Sequence, residues 1–173
     1  MKNIISNMLK FNYFFVIIKK IIKRFEKNTS LEAKEWAKLN TKFTTEEFCK
    51  SIDLNLYNEI LKDVVLIEKE AKYKLSNLSV KLGGGGNFVL LYFLARKLKP
   101  EIIVETGVAA GWSSLAFLRA LSKNGFGKLY SSDFPYFRLK NPEQYVGYLA
   151  KNELNKNNWF LDIRGDDVAI HYL

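Results

Sequence analysis

Apolar positions between residues 4 and 27 recur at helical spacing. Plotted at about 100° per residue, Ile4, Phe11, Phe14, Phe15, Ile18, Ile21, Ile22 and Phe25 share one face, while Lys19, Lys20, Lys23, Arg24 and Lys27 share the other. One amphipathic helix is expected over 4–27. Its longest unbroken apolar run, Tyr13 to Ile18, is far short of the ~20 residues a spanning helix needs. Two uses of the apolar face stay open: packing on the rest of the protein or a partner subunit, and lying on an anionic membrane surface. A secretory leader is disfavoured, because no small-residue cleavage site follows the apolar part.

Further helices are announced by their starts. Thr29 with Glu32, and Thr44 with Glu47, have capping-box spacing, in which a hydroxyl and a carboxylate satisfy the first free amides. Tyr57, Ile60, Leu61, Val64, Ala71 and Leu75 predict a longer helix from about Leu54 to Leu75, with Asp53 as N-cap. The charged run Glu68, Lys69, Glu70, Lys72 and Lys74 reads as its solvated face. Gly83–Gly86 can sustain neither helix nor strand cheaply and reads as a flexible loop. Asn87 then caps an apolar helix from Phe88 to Lys99, closed by Pro100.

From there strands and helices alternate. A buried strand at Ile102–Val104 ends at Glu105, a helix spans about Ser113 to Ser122, and Asn124-Gly125 turns into a strand at Lys128–Ser132. A long polar connection leads to a strand at Trp159–Ile163 and then to Gly165-Asp166-Asp167. This alternation predicts an α/β fold: a partial doubly wound, Rossmann-like parallel sheet preceded by a helical N-terminal extension. The division falls at a helical extension over 1–82 and the α/β part over 83–173.

Charge narrows the function classes. Lys2, Lys10, Lys19, Lys20, Lys23, Arg24 and Lys27 stand against Glu26 alone, so six of the chain's nine net positive charges lie in residues 1–30. A nucleic-acid-binding surface is a poor account of charge so concentrated, and no interleaved basic and aromatic groove appears. The single cysteine, Cys49, permits no internal disulfide and no cysteine-based zinc site, which favours a reducing, cytoplasmic setting. The amphipathic segment leaves open a peripheral place at the inner membrane face. His171 is the only histidine, so it alone could serve as a histidine base.

The informative stretch runs from Ile102 through Glu105-Thr106-Gly107-Val108-Ala109-Ala110-Gly111-Trp112-Ser113-Ser114. In open α/β sheets, ligands bind beyond the carboxyl ends of the strands. Gly107 and Gly111 permit a tight turn and close backbone approach, and Ala109 and Ala110 are small enough not to obstruct it. The helix starting near Ser113 directs free amides and a positive dipole at whatever lies there, favouring a carboxylate or phosphate. Glu105 beside the turn would repel a pyrophosphate but attract an ammonium, so a zwitterionic ligand suits both groups. Asp133 ends the next strand, where a carboxylate commonly accepts ribose hydroxyls.

These residues, with Leu129-Tyr130-Ser131-Ser132-Asp133 after them, resemble class I S-adenosylmethionine-dependent methyltransferases. They are most similar to the small group containing catechol and macrocin O-methyltransferases and cephalosporin hydroxylase-like proteins. The resemblance covers roughly Gly83 to the C-terminus. It implies S-adenosylmethionine as cofactor, with Glu105, Gly107 and Gly111 in the first cofactor motif and Ser113 near the methionine carboxylate. It also implies that Asp133 holds the ribose and that Asp166 contacts the adenine amino group. Ala109 stands where the usual turn has its middle glycine. The implied acceptor is a small molecule or saccharide.

In this family the acceptor and metal ligands come mainly from the fourth strand onward. A divalent metal is therefore expected only in complete relatives, and no metal ligand or catalytic group is assigned in this chain, which is expected to be truncated after its third strand. The family's usual strand order places the first strand between the second and fourth. Without the fourth, the Ile102–Val104 strand would present an unpaired edge, so the chain is expected to be poorly soluble, homo-oligomeric or completed by another polypeptide. A nicotinamide-binding Rossmann protein, or a non-catalytic membrane-surface or partner-binding module, are the alternatives.

Overall fold

The computed structural model describes residues 2–8, 11–23, 30–153, 156–169 and 171. Helices α1 (Lys2–Met8), α2 (Phe11–Lys23), α3 (Ser30–Asn40), α4 (Thr45–Ser76) and α5 (Phe88–Leu98) precede the sheet. Strand β1 (Ile102–Thr106), helix α6 (Trp112–Asn124), β2 (Lys128–Ser132), β3 (Trp159–Asp162) and the short α7 (Asp166–Ala169) follow. The sheet is parallel throughout, in the order β1-β2-β3, with Glu105 opposite Ser131 and Ser132 opposite Asp162. This is the expected α/β architecture: N-terminal helices, then a parallel three-stranded sheet with its connections between the strands.

The local signals explain the element starts. Thr44 and Glu47 form a complete capping box: the Thr44 hydroxyl accepts from the Glu47 amide, and the Glu47 carboxylate accepts from the Thr44 amide. Asp53 interrupts α4 with extended backbone (φ −160°, ψ 95°), and its carboxylate accepts from the Leu56 amide at 3.0 Å. It therefore caps the second half of a kinked helix, in keeping with the start expected at Leu54. Asn87 caps α5 through the Leu90 amide and reaches the Thr45 hydroxyl at 2.8 Å, tying the beginnings of α4 and α5 together. The Thr29–Glu32 box lies outside the described residues at its Thr29 end.

Four expectations need correction. The segment expected to be helical over 4–27 is helical wherever it is described, as α1 and α2, and 9–10 and 24–29 lie outside the described residues. Its docking side differs from the expected face: Ile17 is buried and Tyr13 packs on Phe137 with ring centroids 5.2 Å apart, whereas Phe14, Phe15, Ile21 and Ile22 are exposed. The buried side lies about a third of a turn from the expected one. The charged run on α4 is not wholly solvated, because Glu70 accepts from Arg119 at 2.8 Å and the Lys74 ammonium donates to the Leu149 carbonyl at 2.9 Å. The β2–β3 connection is not a polar spacer either, since it buries Val146, Leu149 and Ala150.

The fourth correction concerns β1, which is half-exposed. Alternation in the strands divides the sheet into two faces. Glu105, Leu129, Ser131 and Trp159 point to one, covered by α6 and by the β2–β3 connection. Ile102, Val104, Tyr130 and Phe160 point to the other. There Ile102, Val104 and Phe160 remain 60, 57 and 46% exposed, with Phe160 stacked on Tyr130 at 4.8 Å. Strand order supplies the reason. Parallel crossovers share one hand, so a sheet built steadily in one direction places its connections on one side. The covered side holds one continuous core, in which Ile60, Ile67, Phe93, Leu115, Leu129 and Leu149 are fully buried. Each such side chain contributes about 1.5–3 kcal/mol of burial.

Candidate functional site

The turn after β1 owes its shape to left-handed backbone. Gly107 has φ 81°, Ala109 φ 48° and Gly111 φ 92°. Only glycine adopts this region freely; an alanine there costs about 1–2 kcal/mol. The departure noted at Ala109 is therefore a real local strain. Gly107 opens into space that a Cβ would not contest. Gly111 is required twice over: its φ is positive, and a Cβ would lie 2.8 Å from the Gly147 Cα. The amides of Gly147 and Leu149 donate to the carbonyls of Ala109 and Ala110, both at 2.9 Å, so the β2–β3 connection is laced to the turn. Gly111 also occupies the N-cap of α6, where it offers no side chain to the first-turn amides.

Three consecutive residues of the second strand's end organise the site. Ser131 faces the covered side and donates to Glu105 Oε2 at 2.7 Å. Ser132 faces the bare side and donates to Asp166 Oδ1 at the head of α7. Asp133 accepts from the Ala109 amide and from the Phe134 amide, both at 2.6 Å, and so braces the turn from below. The segments following β1, β2 and β3 are thus joined through Ser131-Ser132-Asp133.

Glu105 is buried. Its Oε2 accepts from Ser114 as well, at 2.6 Å, and Ser131 in turn accepts from the Trp159 indole at 2.9 Å. Glu105 Oε1 accepts no hydrogen bond among the described residues. Leaving a buried carboxylate oxygen unpaired is costly; Trp112 Nε1 and the Tyr136 hydroxyl are likewise buried with no partner among the described residues. Ser113 is half-buried in the first turn of α6, one place before the serine that engages Glu105.

Two hollows flank this junction. One of about 420 Å³ lies on the bare face, with Val104, Tyr130 and Phe160 as floor and Thr106, Asp162 and Asp166 toward the strand ends. Arg164, hydrogen-bonded to Asp162, holds that carboxyl below its usual range. The other, of about 620 Å³, lies between α1–α2 and the segment after β2, and is lined by Ile4, Ile17, Ala109, Asp133, Phe134 and Phe137 among others. Burial, with the Asp133 carboxylate nearby, pushes the Tyr136 hydroxyl up from its ordinary pKa. The Gly83–Gly86 loop crosses the same region: Gly85 lies against the Trp112 indole, where a Cβ would stand 2.9 Å from Cδ2.

The structure therefore brings Glu105, Gly107, Ala109, Gly111, Ser113, Asp133 and Asp166 to one end of the sheet, but not onto one wall. Glu105 sits under α6, Asp166 on the opposite face, and Asp133 between them. Sequence reasoning missed Ser114, Ser131, Ser132, Trp159 and Gly147. Strand alternation was the available signal for the serines, since Ser131 shares the parity and register of Glu105. His171 is exposed. Among the described residues, no group of three or more histidine, cysteine or acidic side chains is placed to hold a metal ion. No protein-family model, curated protein or solved structure matches the chain.

Proposed function

We propose that this chain binds S-adenosylmethionine as a methyltransferase of the S-adenosylmethionine-dependent kind, O-directed and acting on a small molecule or saccharide. The observation that carries the reading is the junction at Ser131-Ser132-Asp133, which draws Glu105, the left-handed turn and Asp166 to the carboxyl ends of three adjacent parallel strands. Ligands of open α/β sheets lie at that end. Glu105 Oε1 fits the reading, because an ammonium there would satisfy an otherwise unpaired buried acceptor. The ligand's carboxylate would meet the α6 amides that Gly111 leaves uncapped. Asp133 retains lone pairs for ribose hydroxyls beyond the two amides it already accepts, and Asp166 would meet the adenine. The cofactor, when bound, supplies an electrophilic methyl group. This chain's own residues bind and orient it.

Isothermal titration with S-adenosylhomocysteine tests the proposal, with NADH as the competing ligand. Heat with the former alone supports it. Binding of NADH alone, or no heat at millimolar ligand from a protein that is folded by circular dichroism, refutes it. Glu105→Gln is expected to weaken the nucleoside's binding by about tenfold or more, the worth of one charge-assisted contact.

A further inference from the structure

The α1–α2 arm is apolar on two sides, and the fold uses one. On the inner side Ile17 is buried and Tyr13 rests on Phe137, and the Asn7 amide donates to the carbonyls of Phe137 at 3.0 Å and Leu139 at 3.2 Å. These contacts fix the arm to the segment that follows β2. The outer side carries Ile5, Phe14, Phe15, Ile21 and Ile22, of which Phe15 and Ile22 are 66 and 59% exposed. A contiguous strip of this kind on a helix marks a surface that meets something else.

Charge says what that something is. Residues 1–30 hold seven basic side chains against one acid. Among the described residues no helix is long and apolar enough to cross a membrane. A short helix with an apolar strip and strongly basic composition is suited to lie in the plane of an anionic lipid interface. We propose that the outer strip of α1–α2 docks on an anionic bilayer, with Phe14, Phe15 and Ile22 entering the headgroup boundary. A basic residue near such a surface is worth about 1 kcal/mol and loses that within a Debye length. The attraction is therefore strong at low salt and steeply salt-dependent. It is independent of any cofactor at the strand ends.

Flotation of the full chain with phosphatidylcholine vesicles, with and without phosphatidylserine, tests this. The protein is expected to float with the anionic vesicles alone and to be released in about 1 M salt, where the Debye length is about 3 Å. Phe15→Ser with Ile22→Ser should reduce the bound fraction at least about tenfold and leave the thermal midpoint unchanged. Ile17→Ser, on the inner side, should instead lower the midpoint. The proposal is overturned by no flotation with anionic vesicles, by equal flotation without phosphatidylserine, or by a double variant that floats like the parent. A double variant that melts as low as Ile17→Ser also overturns it, because the strip would then be packed against protein.

Discussion

Three substitutions within one five-residue turn separate backbone strain from packing. At Gly107 an added methyl meets nothing within 4 Å, so Gly107→Ala carries only the cost of a left-handed alanine, about 1–2 kcal/mol. Gly111→Ala carries the same cost plus a clash 2.8 Å from the Gly147 backbone, which is itself wedged against Trp159. Overpacking against a wall that cannot rotate away adds about 1–3 kcal/mol, for a total of about 2–5 kcal/mol. Ala109→Gly removes a strain of about 1–2 kcal/mol at φ 48° but gives the unfolded chain more freedom, worth about 0.4–1 kcal/mol, so it is neutral to stabilising by about 1 kcal/mol. Urea unfolding read at a common m-value should rank the variants Ala109→Gly, Gly107→Ala, Gly111→Ala in order of falling midpoint. If Gly111→Ala unfolds at the same denaturant concentration as Gly107→Ala, the close approach to Gly147 carries no energy and the account of the turn is wrong.

Other consequences are open to direct measurement. Arg119 joins Glu70 on α4 and Glu153 after β2, and Glu153 is buried with Lys74 only 3.8 Å away as a second cation. Arg119→Met should therefore destabilise by about 2 kcal/mol, less than for a carboxylate left wholly alone; an unchanged unfolding midpoint would refute it. The Thr44 amide and hydroxyl hold the Glu47 carboxyl below its usual range, and the Leu56 amide, followed by Lys97, does so for Asp53. A depressed folded pKa gives stability that is complete above the ordinary carboxylate range and lost as pH falls through the lower folded value. The melting temperature should thus drop below about pH 4, and less steeply in Glu47→Gln; parallel curves would contradict this. Finally, the bare sheet face should drive concentration-dependent self-association, visible by sedimentation and relieved by Val104→Thr with Phe160→Thr. A parent chain that stays monomeric at all concentrations would show the face to be harmless.

Local chemistry was the most legible part of the sequence. Thr44, Asp53 and Asn87 announce helix starts because a capping side chain bonds amides two or three residues away, a relation written entirely in adjacent letters. Strand parity is also written in the sequence, but reading Ile102–Val104 as a buried strand leaves it unused, although alternation sends Ile102 and Val104 to the open face. What could not be read was direction in space. The apolar residues of α1–α2 spread over more than one side of the helix beside its basic stretch, so period alone could not distinguish Ile17, which docks, from Phe14 and Phe15, which do not. Gly147 gives no sign in its own neighbourhood that Gly111 will press against it. The orientation of Glu105 depends on which sheet face the crossovers cover, a consequence of strand order rather than of the motif around it.

Strand order also explains why the candidate site straddles a boundary. A sheet that grows from β1 to β3 in one direction has one face sealed by its crossovers and one face open. Side-chain parity then sends alternate residues of the same strand end to different environments. Ser131 and Glu105 fall on the sealed side, where the carboxylate is desolvated and its charge is strongly felt. Ser132 and Asp166 fall on the open side, where Asp166 is exposed. Asp133, next in sequence, stands at the rim and grips the turn. A ligand with one end charged and the other broad and apolar matches this gradient: its charged end suits the dry side beside α6, and its flat end the open side over Tyr130 and Phe160. The split of the site between a covered and an open face is thus a property of the sheet's construction, whereas its charge and its apolar floor belong to Glu105, Asp133 and Asp166 and to Tyr130 and Phe160.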